Sequence, residues 1–232
     1  TLEGEVIAGP SGGTGIVLFG TTTGANGNDN NTIANCKISD LTIGGSANYP
    51  VCGVFSLGTV AKSNDNNLIT DCEIVDIFRN GTLIFDNGFV VLRDNNDSWA
   101  IRNNHCYQTA NIAGEGTNSF KFISLESGGG HIVSGNFIGG MAPNCGGASF
   151  TITSGTFNID GIAFGSSASG SNTVEDNTIA NLAYTTTMTA AGFPFAGIAL
   201  HGSANYTCGS FAKGNTVGSI TSTGSITITN NA

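Results

Sequence analysis

The stretch NTIANCKISDL at 31–41 returns along nearly the whole chain, and a short unit that repeats restricts the available folds more than any other feature here. The next copy, NLITDCEIVDI from Asn67 to Ile77, lies 36 residues on (67 − 31). It superimposes Ile33 on Ile69, Cys36 on Cys72, Ile38 on Ile74 and Asp40 on Asp76. The lead-ins match as well, Asn28-Asp29-Asn30-Asn31 against Asn64-Asp65-Asn66-Asn67. Looser copies begin at Ile101, Val133, Val174 and Val217, so one apolar column reads Ile33, Ile69, Ile101, Val133, Val174, Val217, with steps of 36, 32, 32, 41 and 43 residues.

A second column lies between the copies. It is a strand-like run, usually opened by glycine: Gly15–Phe19, Gly53–Leu57, Gly88–Leu92, Phe120–Ile123, Gly161–Phe164 and Gly197–Leu200. Within each copy the apolar residues flank an amide or small pair, as in Ile33-Ala34-Asn35-Cys36-Lys37-Ile38. That pattern predicts two short β segments joined at a tight bend, because Asn and Asp tolerate left-handed backbone angles.

A strand pair with one apolar row cannot bury that row alone, so such units stack until a continuous core forms. Helical solenoids need long 3.6-periodic runs rich in Ala, Leu, Glu, Lys and Arg. This chain has seven Lys plus Arg against 35 Gly, 27 Asn and 27 Thr. A propeller would show an aromatic signature in each blade, and Trp99 is the single tryptophan. The expectation is an all-β, single-stranded, parallel β-helix of about six coils, wound right-handedly as chain chirality favours. All 232 residues belong to one elongated domain about 30 Å long at the ~4.8 Å strand spacing.

The formal charge of −9 excludes a basic nucleic-acid groove and an affinity for anionic membranes. No run of about 18 apolar residues is present, so membrane insertion by a helix is not expected. With only 10% charged residues and many Thr, Ser, Asn and Gly, the composition suits an extracellular solenoid. The chain starts and ends in repeat-like sequence, which points to a segment of something longer.

The sequence NTIANCKISD, together with NLITDCEIVD, GGGHIVSGNFIGGMAPN, SNTVEDNTIAN and KGNTVGSITSTGSIT, resembles the β-helix repeat regions of very large secreted bacterial surface proteins, exported by the type IX route and often adhesive. The likeness covers most of residues 13–229. It implies a right-handed parallel β-helix, an extracellular or cell-surface location, and a longer parent. The partners it implies are other segments of that parent, the secretion machinery or surface glycans. It supplies no catalytic residues.

Cys36 and Cys72 share a column and are expected to stack near the bend, either as buried free thiols or as a disulfide. Cys106 falls in the column of Ile38, while Cys52, Cys145 and Cys208 fall in loops or at strand edges. No Cys-x-x-Cys is present to suggest zinc. Asp29, Asp65 and the pair Asp94 and Asp97 precede three successive copies. Stacked carboxylates repel unless amides, water or a cation intervene, and hard calcium accepts such oxygen ligands; the competing reading is turns in which Asp and Asn cap their own backbone. Asp40 and Asp76 form a shorter ladder of the same kind.

For an enzymatic reading, a polysaccharide lyase or glycoside hydrolase, the candidate catalytic groups are Asp160, in an Asn-x-Asp element at 158–160, His131 after three glycines, and Arg93 beside the Asp94/Asp97 cluster. Threonine runs such as Ile226-Thr227-Ile228-Thr229 raise the question of an ice-binding array, but the unequal steps between copies are too irregular to align them between coils. Long excursions at 139–160 and 184–194 are the expected place for a binding surface, and the glycines after 108 predict a loosened segment as far as 130.

Overall fold

The computed structural model describes residues 2–3, 6–9, 15–20, 26–40, 52–77, 87–113, 119–188, 193–219 and 225–231. Every element among them is a strand, and every pairing between strands is parallel. The result is a parallel β-solenoid of about five turns.

Three sheets recur in each turn. Sheet 1 stacks Leu2–Glu3, Thr32–Ala34, Leu68–Thr70, Ala100–Arg102, Ile132–Ser134, Ser171–Glu175 and Asn205–Cys208. Sheet 2 stacks Val6–Gly9, Lys37–Asp40, Glu73–Val75, His105–Tyr107, Phe137–Ile138, Thr178–Ile179 and Thr216–Val217. Sheet 3 stacks Gly15–Gly20, Cys52–Leu57, Gly88–Leu92, Phe120–Gly128, Ile159–Ala168 and Phe195–Leu200. In the later turns a fourth sheet intervenes between sheets 2 and 3: Ile112–Ala113, Phe150–Gly155, Leu182–Thr186 and Ile226–Asn230.

The repeat column is a physical column. Ile33, Ile69, Ile101, Val133 and Val174 are successive register partners in sheet 1, all buried. Its expected last member is not. Cys208 is the partner of Val174, whereas Val217 lies beneath Ile179 in sheet 2. The final step of the column therefore runs from Val174 to Cys208 and is shorter than the step counted to Val217. On this last rung the bend between sheets 1 and 2 spans 209–215, where the five preceding bends among the described residues hold a residue pair each, as at 35–36. Cys208 is exposed there, in a position that is buried in the preceding rungs.

The corners use one device twice. A residue with left-handed backbone angles is followed by a side chain turned inward. Before sheet 1 the left-handed residues are Asn30, Asn66, Ser98 and Gly130; after it they are Asn35, Asp71, Asn103, Gly135 and Asp176. Asn, Asp and Gly tolerate this geometry, which explains why they recur on either side of so short a strand. The inward side chains after the second corner are Cys36, Cys72, Asn104, Asn136, Asn177 and Asn215. The backbone N–H of each of the first five meets the next rung's side chain, at 3.5 Å for Cys36 to Cys72 and 3.0–3.1 Å for the rest. The amides also bond to one another, Asn104 to Asn136 at 3.0 Å and Asn136 to Asn177 at 2.9 Å. An asparagine ladder runs along this corner, with sulfur in its first two steps.

Before sheet 1 the parallel column reads Asn31, Asn67, Trp99, His131, Asn172. Trp99 fills an amide's place. Its Nε1–H donates to the Asn64 carbonyl at 2.6 Å, and its ring meets Phe19 edge-to-face at 5.1 Å.

In sheet 3 two consecutive residues of a rung face the core. Phe89-Val90 and Phe122-Ile123 both belong to it, while Gly53 and Gly161 precede the buried Val54 and Ile162. A Cβ on Gly161 would stand 2.7 Å from Ile179 Cδ1, and one on Gly53 would stand 2.6 Å from Ile74 Cγ2. The glycine that opens the run thus makes room for sheet 2 isoleucines. Phe120–Gly128, where the glycines suggested loosening, is instead one of the longest strands, and the excursions around 150 and 184 carry the regular strands of sheet 4.

All six cysteines are free, and Cys36, Cys52, Cys72 and Cys106 are buried. Cys52 opens a sheet 3 strand and joins Phe55 and Val91 in a second small cluster. Burial pushes the Cys72 thiol up to about 11 and Cys106 higher still, so these are packing groups and not nucleophiles.

Candidate functional site

The two longest connections, 139–158 and 180–194, run from the end of a sheet 2 strand to the start of a sheet 3 strand, where five intervals of eleven or more residues recur; from sheet 3 to sheet 1 the intervals 21–31 and 58–67 reach eleven and ten residues. The five intervals are 41–51, 76–87, 108–119, 139–158 and 180–194, and the fourth is the longest. Most of the first two lies outside the described residues. The excursion at 139–149 is fully described and sits beside the outer face of sheet 2.

That face is set by alternation. Ile38, Ile74, Cys106, Ile138 and Ile179 are buried, so their predecessors Lys37, Glu73, His105, Phe137 and Thr178, which are register partners of one another, point outward in a row. Lys37 Nζ stands 4.0 Å from Glu73 Oε2. The Tyr107 hydroxyl donates to the same carboxylate at 2.8 Å, and burial together with that bond raises the phenol's pKa. The His105 ring stacks on Phe137 with centroids 5.3 Å apart and planes at 21°. His105 Nδ1 accepts the Asn144 backbone N–H at 3.2 Å, which leaves Nε2 to carry the ring proton.

The excursion is held in place. Ala142 and Gly146 form an antiparallel bridge, and Asn144 and Cys145 both adopt left-handed angles at its tip. The Cys145 thiol, pushed up to about 11 by burial, donates to the Ile138 carbonyl at 3.3 Å. Asn181, one rung on, is the hub. Its Nδ2 reaches the carbonyls of Cys145 and Gly147 at 3.1 Å and Ala148 at 3.2 Å, and its Oδ1 accepts the Ser149 hydroxyl at 2.7 Å. The site therefore combines an aromatic pair, a carboxylate, an ammonium and a rigid backbone tip. Chemically, such a set can offer stacking and hydrogen bonds to a hydroxyl-rich ligand.

Sequence reasoning did not single out His105, Phe137 or Asn181. The signal was present: the same position of successive copies carries Lys37, Glu73, His105 and Phe137, side chains of varied chemistry beside the mostly isoleucine column of Ile38, Ile74, Cys106 and Ile138.

The three candidate catalytic groups are not assembled. His131 is fully buried in the corner column, where Nδ1 accepts the Trp99 N–H at 3.3 Å and Nε2–H donates to the Ser127 carbonyl at 3.0 Å. Burial lowers its pKa, so the ring is a neutral structural group. Arg93 pairs with Glu126 at 3.1 Å. Asp160 neighbours Lys121 in register, at the start of its strand. Phe164 of that strand is level with Leu92 through Leu125, so Asp160 and Arg93 are offset by about 16 Å along the sheet.

Of the calcium candidates, Asp29, Asp65 and Asp97 stack, and Asp94 stands apart in an exposed turn. The stack is capped by backbone. The N–H groups of Asp65, Asp97 and Gly129 donate to the carboxylates of Asp29, Asp65 and Asp97 at 2.8, 2.9 and 2.8 Å. Partial burial and then the two flanking carboxylates raise the Asp65 pKa. Among the described residues no three His, Cys, Asp or Glu side chains gather as a metal-binding group. Asp76 accepts both the N–H and the hydroxyl of Thr109, at 2.7 and 2.8 Å, while the side chain of Asp40 lies outside the described residues.

No protein-family model, curated protein or solved structure matches this chain.

Proposed function

We propose that the chain is a stiff structural segment of an exported bacterial surface protein, adhesive in character, that presents the sheet 2 face and the 139–149 excursion to a glycan. The observation that carries the reading is the asymmetry of the solenoid. Most bends between sheets 1 and 2 are residue pairs such as 35–36, while the connections from sheet 2 to sheet 3 after the first span eleven residues or more, up to the whole of 139–158, and leave from one corner. A rigid scaffold with elaboration at one corner is the arrangement of a ligand-presenting module. Partners of the same class, neighbouring segments of a parent protein and the export apparatus, fit the sparsely charged, repetitive character of the chain.

Titration with a panel of neutral and acidic oligosaccharides, followed by both calorimetry and product analysis, tests this. Binding without turnover, weakened by Phe137→Ala, is the expected result. Turnover abolished by Asp160→Asn would replace it with the polysaccharide-cleaving reading.

A further inference from the structure

Sheet 4 brings into alignment threonines that the spacing of the repeats would scatter. Its strands alternate, with Phe150, Ile152, Leu182, Tyr184 and Thr186 buried and Ile226 and Ile228 packed against the core. The outward residues are Thr151 and Thr153, Ala183 and Thr185, and Thr227 and Thr229. Thr151, Ala183 and Thr227 are register partners, as are Thr185 and Thr229. Thr153 follows Thr151 on the same face, where a bulge between Ile152 and Gly155 begins. Three consecutive rungs therefore present a Thr-x-Thr or Ala-x-Thr pair on one parallel sheet. The alignment is possible because the irregular residues of each repeat fall in the connections on either side of sheet 4, not within it.

The face has two regular repeats: about 4.8 Å between rungs and about 6.7 Å between alternate residues of a strand. Threonine is stiff about χ1, so methyl and hydroxyl positions repeat with the backbone. Thr153, Thr227 and Thr229 are exposed and the other three partly so. The Thr151 and Thr153 hydroxyls reach backbone carbonyls only at 3.4 and 3.5 Å, to Ser149 and Ile112. None of the outward residues is charged. The outer face of sheet 1, by contrast, carries Arg102 and Glu175 amid Leu68 and Ile132. The Tyr184 hydroxyl stiffens sheet 4 from behind by donating to the Phe157 carbonyl at 2.7 Å.

We propose that this face binds ice. An uncharged grid of methyl and hydroxyl groups with these two repeats matches the rows of oxygen atoms on a prism face of crystalline water: the hydroxyls join the lattice while the methyls fill its hollows. A dissolved ligand makes no use of periodicity in two directions. The face belongs to sheet 4 and the glycan contacts to sheet 2 and the 139–149 excursion, so variants at Thr185 and Thr229 test it apart from that reading.

The test is nanolitre osmometry and ice-crystal microscopy on the whole chain. A freezing-point gap and faceted crystals are expected for the wild type. Both should fall to the level of buffer in the double variant Thr185→Lys/Thr229→Lys, with its β circular dichroism unchanged. Thr207→Lys, on the outside of sheet 1, should leave both intact. Round crystals and no gap with the wild type, or full activity in the double lysine variant, would overturn the proposal. Co-sedimentation with cellulose or chitin and no effect on ice would overturn it too, and would assign the face to a crystalline polysaccharide.

Discussion

The backbone N–H of Cys36 points at the sulfur of Cys72, 3.5 Å away, as the N–H of Cys72 points at the Asn104 amide oxygen at 3.0 Å. The likeness continues on the donor side. Cys72 Sγ reaches the carbonyl of Thr70 at 3.2 Å, as the Asn136 amide does that of Ser134 at 3.2 Å. The thiol is a rung of the ladder, with a weaker acceptor in place of an amide oxygen.

Cys72→Asn should therefore be accepted and should stabilise the chain by about 1 kcal/mol, the net value of a good hydrogen bond in place of a poor one. Cys72→Ala should destabilise by about 1–2 kcal/mol, because the Cys36 N–H is left without a partner in the interior. Urea denaturation of the three proteins checks the order Asn, Cys, Ala.

Asn136 lies in the middle of the ladder. It accepts the Asn104 N–H and amide, and donates to the carbonyls of Ile101 and Ser134 and to Asn177 Oδ1. Asn136→Asp keeps the shape, removes the donors and buries a charge. A loss of more than about 3 kcal/mol is expected, well above the cost of the same change at an exposed turn asparagine such as Asn103. Parallel denaturant titrations of the two variants make the comparison.

Ser124 offers the opposite sign. It lies on the outer side of sheet 3 between Val91 and Ala163, and its buried hydroxyl has no hydrogen-bond partner among the described residues. Ser124→Ala removes an unsatisfied polar group at almost no cost in volume. A gain of about 1 kcal/mol is expected, read as a raised thermal midpoint.

The pH dependence of stability should carry the mark of His131. Its folded pKa is lowered by burial, so the unfolded chain takes up a proton first as pH falls. The stabilisation is complete above the unfolded value of about 6.5 and declines as pH falls through it toward the folded value. His131→Asn keeps an acceptor of the kind found at Asn67 and Asn172 in the same column, and should flatten the stability curve between pH 7 and 5. Asp65 acts the other way, since its raised pKa makes the ionised form a burden to the fold at neutral pH. Asp65→Asn keeps the acceptor for the Asp97 N–H and should stabilise at pH 7. A calcium-dependent rise in midpoint, lost in that variant, would show instead that the stack holds a cation.

Asn181→Ala should free the 139–149 excursion and leave the solenoid intact. Hydrogen–deuterium exchange is expected to quicken at Met141–Ala148 with little change at Ile101 or Val133.

What the sequence disclosed follows from where its constraints are strict. A core position one residue wide admits only Ile, Val or their equivalents, so Ile33, Ile69, Ile101, Val133 and Val174 could be aligned by eye, and left-handed corners announced themselves through Asn and Asp. The equivalence of Cys72 with Asn104 was harder to see, because sulfur and amide share a geometric role and not a composition. Val217 misled for a related reason: at the last rung the strict position of sheet 1 is relaxed to Cys208, and the nearest valine belonged to the next sheet. The site was less legible still. His105 and Phe137 meet only because sheet 2 sets successive rungs side by side, and nothing local to Asn181 reveals that it fastens a loop from the previous rung. Sheet 4 escaped notice because its strands fall inside excursions of unequal length, where counting from one copy to the next loses register.

Scalar couplings across hydrogen bonds, measured by NMR on the deuterated chain, report the stacking bond by bond. The amides of Leu68, Ala100, Ile132 and Thr173 should couple to the carbonyls of Asn31, Asn67, Trp99 and His131. Couplings that instead join neighbouring strands of one repeat in antiparallel pairs would contradict the stacked solenoid, and with it the ladder, the corner and both proposed faces.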